Sequence, residues 1–567
     1  MFKKSLLSYA VLFSLTYLTA CSTDDKIKFT ADDFQFSQLD VLENDAGALV
    51  GNIELSNTQD TVIDSITTND ERFIVENNQL KLASGISLNF EQTPVETIEL
   101  AVNFDGNGSY IREITIEVTD VLDTYTFSGV GSDSSSVSYS GQVARHLLIL
   151  ELNNYIASTL QSDLDNGVLT SHDEVFEKLM SFYKADDEAY DLDLGERTLN
   201  TGTSPDRKQN TLKDVSSSTK DLSAKMAGND ATGQYKDWST EFISFGEQGS
   251  YSPESLIEAM FSELADNAVE YLQGNLRQNL LNQEISKVYI TPDGRDLKQL
   301  IQKVILGALA YSQGTDDYLD NDIDGKGLNA DNTALVDGKT YTNLEHQFDE
   351  GFGYFGAARD YLEYSLEEIS VKGGRENWQG MYDSNADGLI DFNSEYNFGH
   401  SANAAKRDLG TVSNSNPTSF RTDAMMAFLN ARQIIADAQA TELSEDARTQ
   451  LLAQRDIAVA NWEKAIAATV VHYINDVTAD YADFATDDFS FTNLAKHWSE
   501  MKGFFISLQF NPRSLLSTAD FNRINNFFAD APALNDESID SYLADLASAK
   551  AIIAVSYDFD AENVSNW

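Results

Sequence analysis

The sequence predicts a multidomain β + α chain: an N-terminal Greek-key β-sandwich followed by a large all-α helical-bundle domain. Residues 28–123 contain short stretches of strictly alternating apolar residues, separated by turn clusters, as in half-buried strands. From about Val137 the apolar residues recur every three or four positions, which is typical of amphipathic helices. At 567 residues the chain is also too long for one hydrophobic core.

The composition indicates a folded protein with a strongly acidic surface. Hydrophobic residues make up 42% of the chain, and 91 acidic residues against 39 basic ones give a formal net charge of −52. The acidic residues are spread along the whole chain instead of forming a tail. Such a surface repels nucleic acid and attracts cations. We therefore expect no nucleic-acid partner.

The N-terminus predicts a lipid anchor. Residues 1–20 have two early lysines followed by an apolar run, the pattern of a signal peptide. The ending Leu-Thr-Ala-Cys resembles the lipobox of bacterial lipoproteins, which implies cleavage before Cys21 and lipidation of its thiol. Cys21 is the only cysteine in the chain, and Ser22 after it favours the outer membrane of a Gram-negative cell envelope. Residues 21–27 would link this membrane anchor to the first domain.

The first predicted domain, residues 28–123, contains a clear hairpin. The segments "TIELAVNF" and "REITIEVTD" alternate strictly, and the turn cluster Asp105–Gly108 separates them. Further short strands at similar spacing indicate a Greek-key sandwich. The alternating apolar positions are Ile98, Leu100, Val102, Phe104, Ile114, Ile116 and Val118.

This domain resembles a cadherin repeat in three segments, "VLENDAGALVGNIEL", "FIVENNQLKLASGISLNFE" and "ITIEVTDVLD". Asn89 and Leu122 depart from the usual motifs, and no second repeat follows to complete an ion cluster. The alternative is that the acidic residues are solvated loop residues. The resemblance implies calcium ligands at Glu43, Glu91, Asp120 and Asp123.

The second predicted domain, residues 124–567, contains long amphipathic helices, with a polar surface insertion at about 186–250. Four of its segments stand out: "SYSGQVARHLLILELNNYI", "LEHQFDEGFGYFG", "SEYNFGHSANAAKRD" and "HWSEMKGFF". Through them the domain resembles an uncharacterised, all-helical family of bacterial lipoproteins known only as a domain of unknown function. That resemblance implies no activity.

Two His-and-acid pairs are candidates for a transition-metal site. His346 with Glu350 and His497 with Glu500 each lie on one helical face, and such pairs from separate helices can build a buried metal centre. Together with the lipoprotein character, they are distantly similar to imelysin-like proteins, which implies binding of iron or another transition metal. The alternative is that each acid pairs with a nearby Arg or Lys and each His packs.

The segment "DSNADGLIDFNSEYNFGH" fits much of a calcium-loop template. It has oxygen-bearing side chains at alternate positions and Gly388 at the turn. Ser394 stands where an EF-hand needs an acid, so the loop is not a strict EF-hand, and an Asx-rich turn without an ion is the alternative. The predicted calcium ligands are Asp383, Asn385, Asp387, Leu389, Asp391 and Glu395.

A second segment, "DNDIDGKGLNAD", fits the same template less well because Gly327 takes its hydrophobic position. Its candidate ligands are Asp320, Asp322, Asp324 and Asp331.

The sequence contains no nucleophile elbow, P-loop, zinc-protease or dinucleotide-binding motif. We therefore expect a non-enzymatic, calcium-containing adhesion or binding protein, whose partner is an unknown protein or small ligand. A lipoprotein for acquiring iron or another metal, and a surface hydrolase, are the two alternatives.

Overall fold

The computed structural model describes residues 29–567 except 44, 46, 57–61, 85, 89, 91–92, 106–107, 120–122, 185–196, 219, 231–233 and 485. Its contacts divide the chain into two compact units, Met1–Asp120 and Val121–Trp567. The first is a β-sheet domain and the second is a large helical region, which confirms the predicted fold class. The predicted signal peptide, Cys21 and the linker lie outside the described residues.

The first unit forms two four-stranded sheets, with strand orders β1-β3-β6-β5 and β2-β8-β7-β4. Strand β2 runs parallel to β8, and the other pairings are antiparallel. A 3₁₀ turn, Ala31–Asp33, precedes the strands. The strands are β1 Phe34–Phe36, β2 Asp40–Leu42, β3 Leu49–Leu55, β4 Ile63–Thr68, β5 Phe73–Glu76, β6 Gln79–Leu82, β7 Val95–Phe104 and β8 Ser109–Thr119.

The predicted hairpin is confirmed as β7 and β8, with Ile98 opposite Ile114. Because side chains alternate across a strand, the apolar residues of both strands lie on one face. That face packs into the same hydrophobic core as Val50 and Leu80, which lie on strands β3 and β6 of the other sheet. Strict alternation thus produces a sheet with a buried face and a solvated face.

The second unit is built mainly from α-helices, with irregular segments and some short 3₁₀ turns between them. The 3₁₀ turns are Ser223–Lys225, Gly327–Asn329, Tyr361–Glu363, Glu376–Trp378 and Leu508–Phe510. The α-helices are α1 Ser140–Asn154, α2 Leu160–Asp165, α3 His172–Tyr183, α4 Leu212–Val215, α5 Pro253–Leu272, α6 Leu297–Ile305, α7 Asn343–Phe355, α8 Leu366–Ile369, α9 Gly399–Leu409, α10 Phe420–Asp437, α11 Glu445–Ala482, α12 Phe491–Ser507, α13 Thr518–Phe528, α14 Asp536–Ser556 and α15 Ala561–Asn566.

Helix α11, with 38 residues, is the central element of this unit. It packs against α10 and α12 and buries Trp462 and Ile466 completely. The Ser444 side chain accepts a hydrogen bond from the backbone N–H of Ala447 and so caps the first turn of α11. Among the helices that the structure describes, none combines the length and apolarity needed to cross a bilayer.

Three π-helical segments connect or extend the α-helices of this unit. One, Tyr155–Thr159, joins α1 to α2, and two more, Leu306–Tyr311 and Gln313–Tyr318, extend α6. All residues of the latter two are buried. Gly314 lies so close to α11 that an added Cβ would be 2.7 Å from the ring of Trp462. The glycine therefore permits this close contact between elements.

The described part of the predicted polar insertion contributes to the core. Leu222, Met226 and Trp238 are essentially inaccessible to solvent and pack among the helices. This differs from the sequence interpretation of a surface excursion. The apolar residues here are too sparse and irregular to show a period, yet these three are buried.

Candidate functional site

The loop at 383–395 folds its oxygen-bearing side chains inward. The two carboxylate oxygens of Asp383 accept hydrogen bonds from the backbone N–H groups of Asp387 (3.0 Å) and Gly388 (2.8 Å). Asn385 Oδ1 also accepts from the Asp387 N–H, at 2.9 Å. Asp387 Oδ1 in turn accepts from the Leu389 N–H at 3.0 Å. These overlapping Asx turns bring three predicted ligand side chains together in one tight loop.

The backbone of this loop has the turns that the template requires. Ala386 and Gly388 have φ values of 57° and 86°, in the left-handed region. Ile390, at the predicted hydrophobic position, is completely buried. Its backbone is held by hydrogen bonds with Asp206 (2.8 Å) and Lys208 (2.9 Å). The loop is therefore anchored to the core at its aliphatic residue.

Asp391 is occupied by protein partners. Its carboxylate accepts hydrogen bonds from Gln209 Nε2 at 2.7 Å and from Lys208 Nζ at 3.0 Å. Burial acts to raise the pKa of Asp391, but hydrogen bonds from Gln209, Asn393 and Lys208 outweigh it and hold that pKa below its usual value. Asp391 thus fixes the loop to the segment before α4.

Glu395 braces the loop from inside. Its side chain is buried, and Oε1 accepts from the Ser384 N–H (3.0 Å) and from Asn385 Nδ2 (3.1 Å). Its Oε2 accepts from the Asp391 N–H at 2.7 Å. Glu395 therefore connects both ends of the loop, which explains why Ser394 needs no carboxylate for the loop to close.

The second candidate calcium segment, residues 320–331 (the weaker loop), is held by different contacts. Asp320 pairs with Arg513, and Asp331 Oδ1 accepts from the N–H and hydroxyl of Thr333 at 2.8 and 2.6 Å. Asp322 and Asp324 are exposed. Asp320 and Asp331 therefore each bind a different protein group, Arg513 and Thr333.

The His346 pair lies between α1 and α7. His346 Nδ1 is 3.0 Å from the Ser138 carbonyl oxygen, and its Nε2 is 3.9 Å from Glu350 Oε2. Glu350 Oε1 accepts a hydrogen bond from Gln142 Nε2 at 3.0 Å. His346 and Glu350 therefore lie close together, on the same face of α7, as expected from their spacing.

The His497 pair has a different set of neighbours. His497 Nδ1 is 2.8 Å from Asp480 Oδ2, whereas Glu500 lies 3.4 Å from Lys303 Nζ and 3.8 Å from Lys496 Nζ. None of these residues is a partner of His346 or Glu350. Within the described part of the chain, no three His, Cys, Asp or Glu side chains are grouped so that they could hold a metal ion by themselves.

Two of the four acids predicted from the cadherin resemblance are among the described residues. Glu43 is buried in the first unit, and its Oε2 accepts from the Phe90 N–H at 2.8 Å. Asp123 is buried in the second unit. Glu91 and Asp120 lie outside the described residues.

Sequence reasoning missed a buried ion network. Arg432, on α10, donates to Asp349 at 2.8 Å and to Glu345 at 2.9 Å, and all three side chains are buried. Tyr125 also donates to Asp349, at 2.9 Å. Asp349 belongs to the "EHQFDEG" motif, but its partner lies 83 residues away, so local spacing could not reveal the pair.

The chain thus combines a β-sheet domain with a helical unit that contains the Asx-turn loop 383–395. A family model described as a domain of unknown function, DUF4856, matches residues 123–370, from before α1 to the end of α8. The predicted resemblance to an uncharacterised helical family is confirmed for that part of the chain. No curated protein and no solved structure matches the chain.

Proposed function

We propose that this chain is a non-enzymatic binding protein of the bacterial cell envelope whose helical unit is stabilised by calcium at the loop 383–395. The observation that carries the proposal is the inward arrangement of Asp383, Asn385 and Asp387 around turns at Ala386 and Gly388. The lipid anchor at Cys21 remains part of this proposal and rests on the sequence alone.

The donor set suits calcium better than a transition metal. Calcium takes six to eight oxygen ligands, including carboxylates, amide oxygens, backbone carbonyls and water. The loop offers carboxylates from Asp383 and Asp387, the amide oxygen of Asn385 and the carbonyl of Leu389. Asp391 and Glu395 would hold the loop in shape instead of binding the ion directly. The ion's role is then structural, because its ligands all belong to one loop that is anchored to the core at Ile390.

Chelation tests this proposal in the protein purified in detergent. We expect EDTA to lower the melting temperature and calcium to restore it, since an ion at 100 times its dissociation constant stabilises by about 2.7 kcal/mol. In the Asp383→Asn/Asp387→Asn variant, chelator should no longer lower the melting temperature of the helical unit. The matched control is Asp322→Asn/Asp324→Asn in the weaker loop, which should respond like the wild type. A wild-type melting curve that chelator leaves unchanged would refute the calcium proposal.

We also propose that the first unit is a cadherin-like spacer or adhesion module. Two sheets around a single core support this architecture. Calcium binding by Glu43, Glu91, Asp120 and Asp123 would add a second class of site. Calorimetric titration of the Asp383→Asn/Asp387→Asn variant should then retain calcium binding that Glu91→Gln/Asp120→Asn removes. Absence of residual binding in the loop variant would leave the first unit without calcium.

Iron or other transition-metal acquisition remains a prediction from the sequence. Elemental analysis of the same preparation tests it: stoichiometric iron that disappears in His346→Ala would support it over the calcium proposal. The surface-hydrolase prediction likewise stays untested by the described geometry.

A further inference from the structure

The sheet β2-β8-β7-β4 of the first unit has a largely exposed outer face. Because side chains alternate along a strand, every second residue of its strands points away from the hydrophobic core. These outward residues, the acidic face, include four acids and no Lys or Arg. They are Val95, Thr97, Glu99, Ala101 and Asn103 on β7, Ser109, Ile111, Glu113, Thr115, Glu117 and Thr119 on β8, Asp40 and Leu42 on β2, and Ser65 and Thr67 on β4.

The four carboxylates of the acidic face have no cation to pair with. Glu99 and Glu113 lie directly opposite each other on the antiparallel strands β7 and β8, and Glu117 is the partner of Asp40 on β2. Directly opposite side chains have Cβ atoms about 4.5–5.5 Å apart, and like charges there destabilise a sheet. Among the described residues, no Lys, Arg or His lies within 4.0 Å of these carboxylates. The face thus keeps a like-charged pair that weakens the sheet.

Exposed apolar side chains lie beside these charges. Val95 is 48% exposed and Ile111 is 59% exposed. Val95 lies opposite Glu117, and Ile111 is two residues before Glu113 on the same face. Single exposed apolar residues are common on protein surfaces, but here both border the acidic residues of one sheet. Apolar side chains next to charged ones match the apolar core and polar rim of a protein–protein interface.

The outer face of the other sheet has a different composition. Lys81 supplies a positive charge there, opposite Leu49 on one side and Ile74 on the other. Gln79 Nε2 donates a hydrogen bond to Asn52 Oδ1 at 3.0 Å across two strands of that sheet. That face therefore carries both signs of charge and pairs polar groups internally, whereas the acidic face leaves its carboxylates to an outside partner.

We propose that the acidic face docks a basic protein segment in which Lys or Arg side chains flank apolar ones. The cations would lie against Glu99, Glu113 and Glu117, and the apolar side chains against Val95 and Ile111. A second copy of the acidic face and an anionic membrane surface would each bring negative charge and be repelled. The inference rests on the proposed adhesion role of the first unit, for which it names the face and the chemistry of the partner.

The size of the acidic face sets the expected strength of binding. With strands about 4.8 Å apart and a rise of about 3.4 Å per residue, the face measures roughly 15 by 30 Å. This is smaller than the area of about 800 Å² that each partner contributes to a stable complex. We therefore expect a weak, reversible complex whose affinity falls as salt screens the charges.

Fluorescence-anisotropy titration of the protein, purified in detergent and kept in EDTA, tests the proposal with a labelled peptide of Lys-Leu-Thr repeats as the probe. The peptide should bind at low salt and lose affinity as salt is added. A Glu-Leu-Thr peptide should not bind, and a Lys-Ser-Thr peptide, which lacks the apolar side chains, should bind more weakly. Photo-crosslinking from the bound Lys-Leu-Thr peptide, read by mass spectrometry, should label β7 and β8.

Two double variants test the assigned residues. Glu99→Gln/Glu113→Gln should weaken binding about two- to thirtyfold, because it removes two exposed ion pairs with the peptide. The matched control is Glu54→Gln/Glu76→Gln, which changes two exposed glutamates of the other sheet and should bind like the wild type. Glu99→Gln/Glu113→Gln should also melt at or above the wild-type temperature, since it relieves like-charge repulsion. Weaker binding by that variant is then not a folding defect.

The inference is overturned if the Lys-Leu-Thr peptide does not bind, or if the two double variants lose affinity equally. Crosslinks elsewhere on the first unit would also overturn it, but they would leave the adhesion role standing with a different face. Sedimentation that shows a wild-type dimer and a Glu99→Gln/Glu113→Gln monomer would assign the face to a second copy instead. Because every titration contains EDTA, these outcomes do not depend on whether the loop 383–395 or the first unit binds calcium.

Discussion

Arg432 Nε donates to Asp349 Oδ1 at 2.8 Å, and neither side chain has any exposed surface. The pair joins α10 to α7, two helices that also share aromatic contacts in the core. Both charges are well hydrogen-bonded: Asp349 also accepts from Tyr125, and Arg432 also donates to Glu345. Breaking such a pair leaves the remaining charge buried without compensation.

We therefore expect Asp349→Ala to destabilise the helical unit by about 3–5 kcal/mol. Equilibrium urea denaturation followed by circular dichroism measures this change. The matched control is the pair Arg523 and Asp520, at 3.2 Å, in which the arginine is exposed, and Arg523→Ala should cost less than about 1 kcal/mol. Equal effects at the buried and exposed pairs would contradict the assigned structural role of the network.

Asp360 should make stability depend on pH. It is buried, and neither carboxyl oxygen has a hydrogen-bond partner among the described residues. Burial raises its pKa from 3.8 to about 7, and nearby Glu395 and Glu363 act in the same direction. Below pH about 4 the folded and unfolded states both hold the proton. Between pH 4 and 7 only the unfolded chain ionises, so folding becomes less favourable until the difference levels off.

The variant Asp360→Asn removes this ionisation. Relative to the wild type, its free energy of unfolding should rise by as much as about 4 kcal/mol between pH 4 and 7 and then stay constant. Urea denaturation of both proteins across that range gives the difference curve. A difference that does not change with pH would show that Asp360 ionises normally in the folded protein.

The fold was largely predictable because its periodicities are local. Alternation around Ile98 and Ile114 predicted the hairpin, and its register follows from the same residues. The loop 383–395 was also recognisable, since the acceptors Asp383, Asn385 and Asp387 lie within a few residues of their donors. Interactions between distant segments were not predictable in this way. Nothing near Asp349 in the sequence indicates Arg432, and nothing near Asp391 indicates Lys208.

His497 should contribute stability only while it is charged. Burial acts to lower its pKa, but the hydrogen bond with Asp480 and the charges of Asp480 and Asp476 raise it above the usual 6.5. This stabilisation is fully present below pH 6.5 and is lost as the pH rises through the higher pKa of the folded protein. Asp480→Asn should therefore destabilise the protein at pH 6 and have a smaller effect at high pH.

Melting temperatures of wild type and Asp480→Asn between pH 5.5 and 9 check this prediction. The control is Asp476→Asn, because Asp476 lies 4.0 Å from His497 Nε2 against 2.8 Å for Asp480 and Nδ1. It should show the same trend with a smaller amplitude. A loss that grows as the pH rises would reverse the sign and contradict the assignment of the charged form.

Gly314→Ala should destabilise the core although alanine favours helices. An added Cβ would lie 2.7 Å from Trp462, whose ring is held by Tyr311 and Phe355 at centroid distances of 5.2 and 5.3 Å. Overpacking of this kind costs about 1–3 kcal/mol. Gly202→Ala is the matched control, because its Cβ would enter open space, and it should change stability by less than about 0.5 kcal/mol.

In a Trp462→Leu background the cost of Gly314→Ala should shrink, since the smaller side chain leaves room for the methyl group. Urea denaturation of the four proteins in that cycle measures the coupling, and purely additive effects would mean that Trp462 is not what the methyl group meets.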